Sequence, residues 1–339
     1  MKVTIKDIAK ISGFSVSTVS LVLNNKAAHI SSDTKKIIID VAKKTNYRPN
    51  QQAISLVKKK SDNIGLIIPD VSNSFFALLA KSVEDSCRAR GWNLILCNTN
   101  EEHQRDVDYI NVLIDKRMDG ILYCMALDSD KKKSFESIQI LKDSKIPFVL
   151  IDRIPDNCNC CAVTVDHLRG SYYATKHLLE LGHKKIGCIS GPFNLKDSKD
   201  RLFGYKMALT EYNINYDREL IFEGRFDNES GKLAIEYFKN KGITAIFAFN
   251  DMSALGFYKN IQSENIKIPD DISLVGYDNI FVTELLDTPI TTVKQPIYEL
   301  GSEAINQLTL LINNKDNIAK SIFLEPELII RKSTKSIEN

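Results

Sequence analysis

The sequence predicts a small all-α headpiece with a helix-turn-helix, followed by a two-lobed α/β core of parallel sheets. Three observations predict it. Residues 3–24 read as two short helices with a tight turn between them. From Asn63 onward, short apolar strands alternate with amphipathic helices in two consecutive sets. Charge is also unevenly spread over the 339 residues: residues 1–60 hold 12 Lys+Arg and 3 Asp+Glu, a net of +9, whereas the remainder carries −7. The length leaves room for two or three domains at about 100–200 residues each.

In the first helix, Thr4 precedes an apolar-periodic run with Asp7 three residues on, a near capping box for the amides of the first turn. Ile5, Ile8 and Ala9 share one face. Gly13 supplies the turn, where a side chain would be crowded. Ser15 is a good cap for the second helix, which turns Val19, Val22 and Leu23 inward and the small Val16, Ser17 and Ser20 outward. A helix-turn-helix needs a small residue where its helices cross, a glycine at the turn and an apolar residue at the packing point. The spacing alone is equally that of a plain helical hairpin. A basic head on an acidic body tips the reading toward nucleic acid.

A third helix, capped by Ser31 or Ser32, carries a stripe of Ile37, Ile38, Val41 and Ala42, and Pro49 stops it at or before Arg48. Residues 47–60 then form a linker. Asn50 can cap a short helix with Ala53 and Leu56, too short to hold alone in water. Beyond it, IGLIIP, WNLILC, GILYCM and PFVLID read as one set of strands, and AVTVD, KIGCIS, AIFAFN and ISLVGYD as a second. Helices are expected near 75–90, 105–116, 131–143, 170–181, 200–212, 230–240 and 253–263. Continuous apolar strands alternating with helices mean parallel sheets covered on both faces, with ligands beyond the strands' carboxyl ends. Asp70, Asn73, Asp152, Arg153, Asn250, Asp251 and Asp278 fall at such ends. Carboxylates, amides and an arginine converging there suit a polyhydroxylated ligand. Each taken singly is equally a helix cap or a solvated loop residue.

No P-loop, GxSxG or HExxH motif is present, and the five histidines (His29, His103, His167, His177 and His183) have no metal spacing, so no enzyme, cofactor or metal is implied. The seven cysteines are mostly isolated in apolar strands, as buried reduced thiols would be. Cys158, Cys160 and Cys161 cluster, but without CxxC spacing, and read as a loop with incidental thiols rather than a zinc or redox site. No signal peptide or membrane span is visible, which leads to the expectation of a cytoplasmic protein.

Along nearly its whole length the chain resembles the LacI/GalR family of bacterial transcription regulators. The resemblance is carried by VTIKDIAKISGFSVSTVSLVLN, NYRPNQQAISL, IGLIIPDVSNSFF, VLIDR, VTVDH, LGHKKIGCISGP, RLFGYKMAL, AIFAFNDMSALG, ISLVGYDN, TTVKQP and ELIIRKST, in that order. It implies a headpiece over 1–46, a hinge helix over 47–60 and a periplasmic-binding-protein-like core over 61–339. Lobe 1 would take about 61–163 plus 292–323, and lobe 2 about 164–291 plus 324–339, with crossings near 163, 291 and 323. Val16 and Ser17 would read bases, with Leu21 where the family usually has an arginine. Thr4, Ser15, Thr18, Ser20, Asn24, His29 and Thr34 would hold phosphates or the caps around them. Tyr47 and Asn50 would touch the DNA backbone. Ala53 belongs to the same hinge, and Leu56 would wedge into the minor groove of a pseudo-palindromic double-stranded operator. Ile54 stands where a basic hinge residue is common.

In the core, Asn73, Phe75, Asp152, Arg201, Asn250 and Asp278 match positions lining the family's effector cleft, and Phe226 could stack on a sugar ring. The resemblance implies a homodimeric repressor sensing a small molecule, a sugar or sugar phosphate. No leucine heptad follows RKST to suggest a tetramer. One alternative is a carbon catabolite regulator with a phosphorylated carrier protein as corepressor, although Asn306 stands where an arginine would grip a phosphoserine. A solute-binding protein is the more distant alternative.

Overall fold

The computed structural model describes residues 3–24, 26–47, 60–156, 159–313 and 321–337. The chain folds as two compact units, residues 1–61 and 62–339.

In the first unit, α1 (Ile5–Ser12) starts at a complete capping box. Thr4 Oγ1 accepts the Asp7 N–H at 3.4 Å, and Asp7 Oδ2 accepts the Thr4 N–H at 2.8 Å. Gly13, in the left-handed region at φ 76°, ends the helix and returns its N–H to the Ala9 carbonyl. Ser15 caps α2 (Val16–Leu23) and Ser31 caps α3 (Ser32–Lys44). Ile8, Ala9, Val19, Val22, Ala27 and Ile38 meet in a small core, with Leu23 and Val41 packed against it. The expected stripe of α3 needs one correction: Ile37 is 47% exposed. Ile38 and Ala42, four apart, take the inner face, and Ile37 sits one residue, about 100°, away from it. Leu56, Asn50, Ala53 and the expected hinge helix lie outside the described residues.

The second unit contains two six-stranded sheets. The first, ordered β11-β5-β4-β3-β1-β2, joins β1 (Asn63–Ile68), β2 (Asn93–Asn98), β3 (Gly120–Tyr123), β4 (Phe148–Ile151), β5 (Ala162–Val165) and β11 (Ser321–Leu324), all parallel. Its strands are apolar on both faces because both are covered. Leu66, Leu122 and Val149 face α4 (Ser74–Arg88) and α11 (Ile297–Asn313), while Ile67, Ile121 and Leu150 face α5 (His103–Asp115) and α6 (Lys131–Ser144).

The second sheet is ordered β12-β10-β9-β8-β6-β7. It contains β6 (Ile186–Ser190), β7 (Ile221–Glu223), β8 (Ala245–Ala248), β9 (Ser273–Asp278), β10 (Thr291–Lys294) and β12 (Glu327–Ile329). It departs from the all-parallel expectation at one edge, where β12 runs antiparallel to β10. Helices α7 (His167–Glu180) and α8 (Lys196–Glu211) cover one face, and α9 (Asn228–Phe238) and α10 (Asp251–Ile261) the other.

Pairing corrects the assignment of AVTVD to the second set: β5 hydrogen-bonds to β4 and β11 and belongs to the first sheet. The passages between sheets therefore follow Val165, Lys294 and Leu324, one to three residues beyond 163, 291 and 323. Six of the seven expected core helices start one to four residues earlier than periodicity suggests, α7 and α8 by the most. Asp166 caps α7 through the Arg169 N–H, and Lys196 pairs with Asp200 in the first turn of α8.

Removing the hydroxyl in Thr4→Ala deletes one half of the capping box. We expect the headpiece to lose about 1 kcal/mol of stability, read by amide exchange in α1, with exchange in the core unchanged.

Candidate DNA-contacting face and inter-lobe cleft

On α2, inward Val19 and Val22 leave Val16 (42% exposed), Ser17 and Leu21 (44% exposed) on the outer face. Thr4, Ser15 and Thr34 sit at the three helix N-termini. Ser15 Oγ also lies 2.8 Å from the Thr18 hydroxyl, and Thr34 Oγ1 accepts the Ser31 hydroxyl at 2.9 Å. Asn24 closes α2, its amide donating to the Ser20 carbonyl at 2.9 Å and hydroxyl at 3.3 Å. His29 is exposed, and Tyr47 packs half-buried on the headpiece core. The outer face of α2 is thus of modest side chains, with the capped helix N-termini carrying exposed hydroxyls, an arrangement compatible with close approach to an anionic backbone.

In the core, the carboxyl ends of β1, β4, β8 and β9 converge. Asn73, Phe75, Asp152, Arg201, Phe226, Asn250 and Asp278 surround one space of about 20 Å³, roughly the room of one water molecule. The same space is also lined by Arg153, which the sequence placed among the strand-end residues, and by Phe76, Asp197 and Gln295, which sequence reasoning left out of the site. Asp197 carried a signal, since it precedes Arg201 by four residues and so shares its helix face. Gln295 had none, because it lies in the passage after β10.

Arg201 is the centre of this cleft. It is 4% exposed, and one Nη donates to the Phe249 carbonyl. The other Nη donates to His167 Nδ1 at 3.3 Å, and the guanidinium lies 4.0 Å over the Tyr277 ring. Its Nε has no hydrogen-bond partner among the described residues. Burial, and then the charges of Arg201 and Lys196, push the His167 imidazole well below its usual range. The ring is therefore neutral. Because Nδ1 accepts from an arginine, Nε2 carries the proton.

Asn250 caps α10, accepting the Ser253 N–H at 3.0 Å, and ties the Phe226 carbonyl at 2.8 Å. Asn73 caps α4 through the Phe75 N–H at 3.0 Å. Phe75 packs edge-on against Phe76 within the lobe core. Phe226 reaches the cleft because Gly191, at the end of β6, has no side chain: a Cβ there would lie 2.1 Å from the ring.

The carboxylates are electrostatically unmatched. Asp152 is pushed up to about 7, by burial first and by Asp197 and Asp278, against the pull of Arg153 and Arg201. Burial likewise raises Asp278, with Arg201 opposing and neighbouring Asp251 adding to the rise. Gln295 Nε2 donates to Asp278 Oδ1 at 2.7 Å. The other strand-end acids turn away. Asp70 accepts from Ser72, and Asp251 is buried against Thr292 and the Ile280 N–H. Cys97, Cys124 and Cys188 are buried, with burial raising each thiol, and Cys160 and Cys161 are buried too. Cys158 lies outside the described residues. No helix among the described residues is long and apolar enough to cross a membrane.

A helix-turn-helix unit joined in one chain to a core with a polar cleft defines a DNA-binding regulator with a sensing domain. Residues 4–50 match the model of bacterial regulatory proteins of the lacI family, and residues 175–334 a periplasmic binding protein-like domain. The chain is 36% identical to the HTH-type transcriptional regulator DegA of Bacillus subtilis, over 98% of each chain. It superposes on the lac repressor dimer bound to operator and the anti-inducer ONPF with a TM-score of 0.88 at 25% identity, covering 99% of this chain and 100% of that one. A LacI family regulator from Enterococcus faecium with bound ribose gives a TM-score of 0.72 at 30% identity, over 81% and 100%. The chain belongs to the lacI family: it is a helix-turn-helix transcriptional repressor with an effector-binding core. These relatives are transcription regulators, not enzymes.

The raised carboxyl of Asp278 has a measurable consequence. The folded chain holds this proton where the unfolded chain, at an ordinary carboxylate value, has lost it, so stability falls as pH rises from about 4 to 7. Between pH 5 and 8 the core's melting midpoint should fall further in the wild type than in Asp278→Asn, by on the order of 5 °C. Parallel slopes would show that the proton is not held there.

Proposed function

We propose that the chain is a cytoplasmic homodimer that binds a pseudo-palindromic operator through its headpieces and senses a sugar-like polyol between its core lobes. The observation that carries the reading is the convergence of seven strand-end and helix residues on one cleft with buried, unpartnered polar atoms at Arg201 Nε and Gln295 Oε1. A polyol supplies donor and acceptor hydroxyls for the carboxylates, the guanidinium and the amides, and an apolar ring face for Phe226. The cleft works as a sensor, not as a catalytic site.

Val16, Ser17 and Leu21 are the base-facing positions in this reading. With Leu21 in place of an arginine, apolar contact replaces a guanine hydrogen bond. Thr4, Ser15, Thr18, Ser20, Asn24, His29, Thr34 and Tyr47 face or brace the phosphates, and Asn50, Ala53 and Leu56 serve in the hinge. Exposed Phe281, Val282 and Leu285 form an apolar patch suited to a second copy. A phosphorylated carrier protein as corepressor has less support. Asn306 is already engaged, accepting from Arg90 at 2.5 Å and donating to Glu303 at 3.0 Å.

A thermal-shift panel of sugars on the full-length protein should give a hit, since a ligand of the folded core raises its midpoint by mass action. Arg201→Ala should abolish that shift and the effector's influence on operator binding while leaving operator affinity without effector within about twofold. A fully responsive variant removes Arg201 from the site.

A further inference from the structure

Carboxylates outnumber uncommitted cations in the cleft. Asp152, Asp197 and Asp278 line it, each more than nine-tenths buried, and none forms an ion pair among the described residues. Asp278 accepts from Gln295 at 2.7 Å, and Asp152 has a Cys124 thiol at 3.7 Å. Asp197 has no hydrogen bond among the described residues. The buried Gln295 Oε1 is a further unpartnered acceptor.

The cations do not redress this. Arg153 is consumed by a two-pronged pair with Glu101, at 2.7 and 3.0 Å. Only Arg201 remains, with two of its five N–H groups engaged, by the Phe249 carbonyl and His167, and it is one positive charge against three carboxylates. Burying a carboxylate without a partner is costly; a raised proton affinity relieves part of that cost at Asp152 and Asp278, and at Asp197, which has no side-chain hydrogen bond among the described residues, the ligand can supply the partner. An ammonium brings three donors, no acceptor and the opposite charge, whereas a phosphate brings the reverse of each.

We propose that the effector is a polyol bearing an ammonium group, received by Asp197, and that anionic sugars are excluded. The inference rests on the cleft reading above and narrows its ligand class. Asp197 is singled out by position. It lies in the first turn of α8, where the helix N-terminus favours negative charge, on the face that carries Arg201. It also borders an adjoining space of about 130 Å³, which gives a ring substituent room; of the lysines lining that space, Lys196 and Lys199 are already paired with Asp200 and Asp156, and Lys131 has no ion pair among the described residues. A phosphate in the same place would meet Asp152 and Asp278, already crowded by like charge.

The test is calorimetric titration of the full-length protein with glucose, galactose and mannose, their 2-amino derivatives and their 6-phosphates. Charge-assisted hydrogen bonds are about twice as strong as neutral ones, so at least one amino sugar should bind roughly tenfold tighter than its parent, with no binding by the phosphates. In Asp197→Asn and Asp197→Ser the preference for the amine over its parent should shrink to about twofold. Tightest binding by a phosphate, parity of amine and parent, no binding by any amino sugar, or a preference that survives both substitutions each overturns the inference. Titrating Arg201→Ala separates the two readings. A sugar or phosphate bound by the wild type but not by this variant keeps the cleft reading and removes only the ammonium, whereas equal binding to both removes the cleft itself.

Discussion

Arg201 is a permanent cation enclosed in the protein with no carboxylate bonded to it. A guanidinium cannot shed its proton to escape burial, so its surroundings must be arranged around it. The Phe249 carbonyl beyond β8, the Tyr277 ring on β9 and His167 at the start of α7 supply that arrangement. One side chain on α8 therefore binds together three segments that meet only at the carboxyl edge of the second sheet. The neutrality forced on His167 belongs to the same constraint, since a second cation at that distance would undo it. The acids of both lobes then sit within the field of the guanidinium but short of contact, so the cleft remains polar without being neutralised.

A cleft of about 20 Å³ admits no sugar. A ligand can enter only through a more open arrangement of the lobes, and only three short passages, after Val165, Lys294 and Leu324, join them. Each sheet with its helices forms a packed core, but Ile280 of the second lobe packs into the first core and Leu127 of the first lobe into the second, so opening must separate these contacts as well as flex the passages. An effector shifts such an equilibrium only by the difference in its affinity for the two arrangements. The residues able to make that difference are those divided between lobes: Asn73, Asp152 and Arg153 on one side, Asp197, Arg201 and Asp278 on the other.

What was legible in the sequence was what local chemistry decides. Thr4 with Asp7, Gly13 and Ser15 specify the headpiece within a few residues of themselves, so its helices could be placed from spacing. Asn73, Asp152, Asn250 and Asp278 were found because a residue following an apolar strand lies at a sheet's carboxyl edge whatever the partners. Less legible was anything settled across the chain. AVTVD opens the second set in sequence order, yet its neighbour β11 arrives more than 150 residues later and claims it for the first sheet. Asp197 looked like an ordinary first-turn acid, and only the closure of the lobes makes it a cleft residue. Ile37 has the right composition for a core stripe and the wrong angle, a difference that depends on where Val19 and Val22 lie.

The order of the strands also bears on how the protein is made. Among the described residues, every strand of the first sheet except β11 is present by Val165, and the second sheet lacks β10 and β12 until synthesis has passed Thr291 and Glu327. The headpiece has no such dependence and can close as soon as α3 leaves the ribosome. At roughly 5–20 residues per second the interval before the core can be completed is on the order of tens of seconds. During that time the nascent chain carries a finished DNA-binding unit on an unfinished sensor with open sheet edges. Termination before Thr291, where β10 begins, would therefore leave an intact headpiece tethered to an aggregation-prone remainder, rather than a slightly shortened regulator.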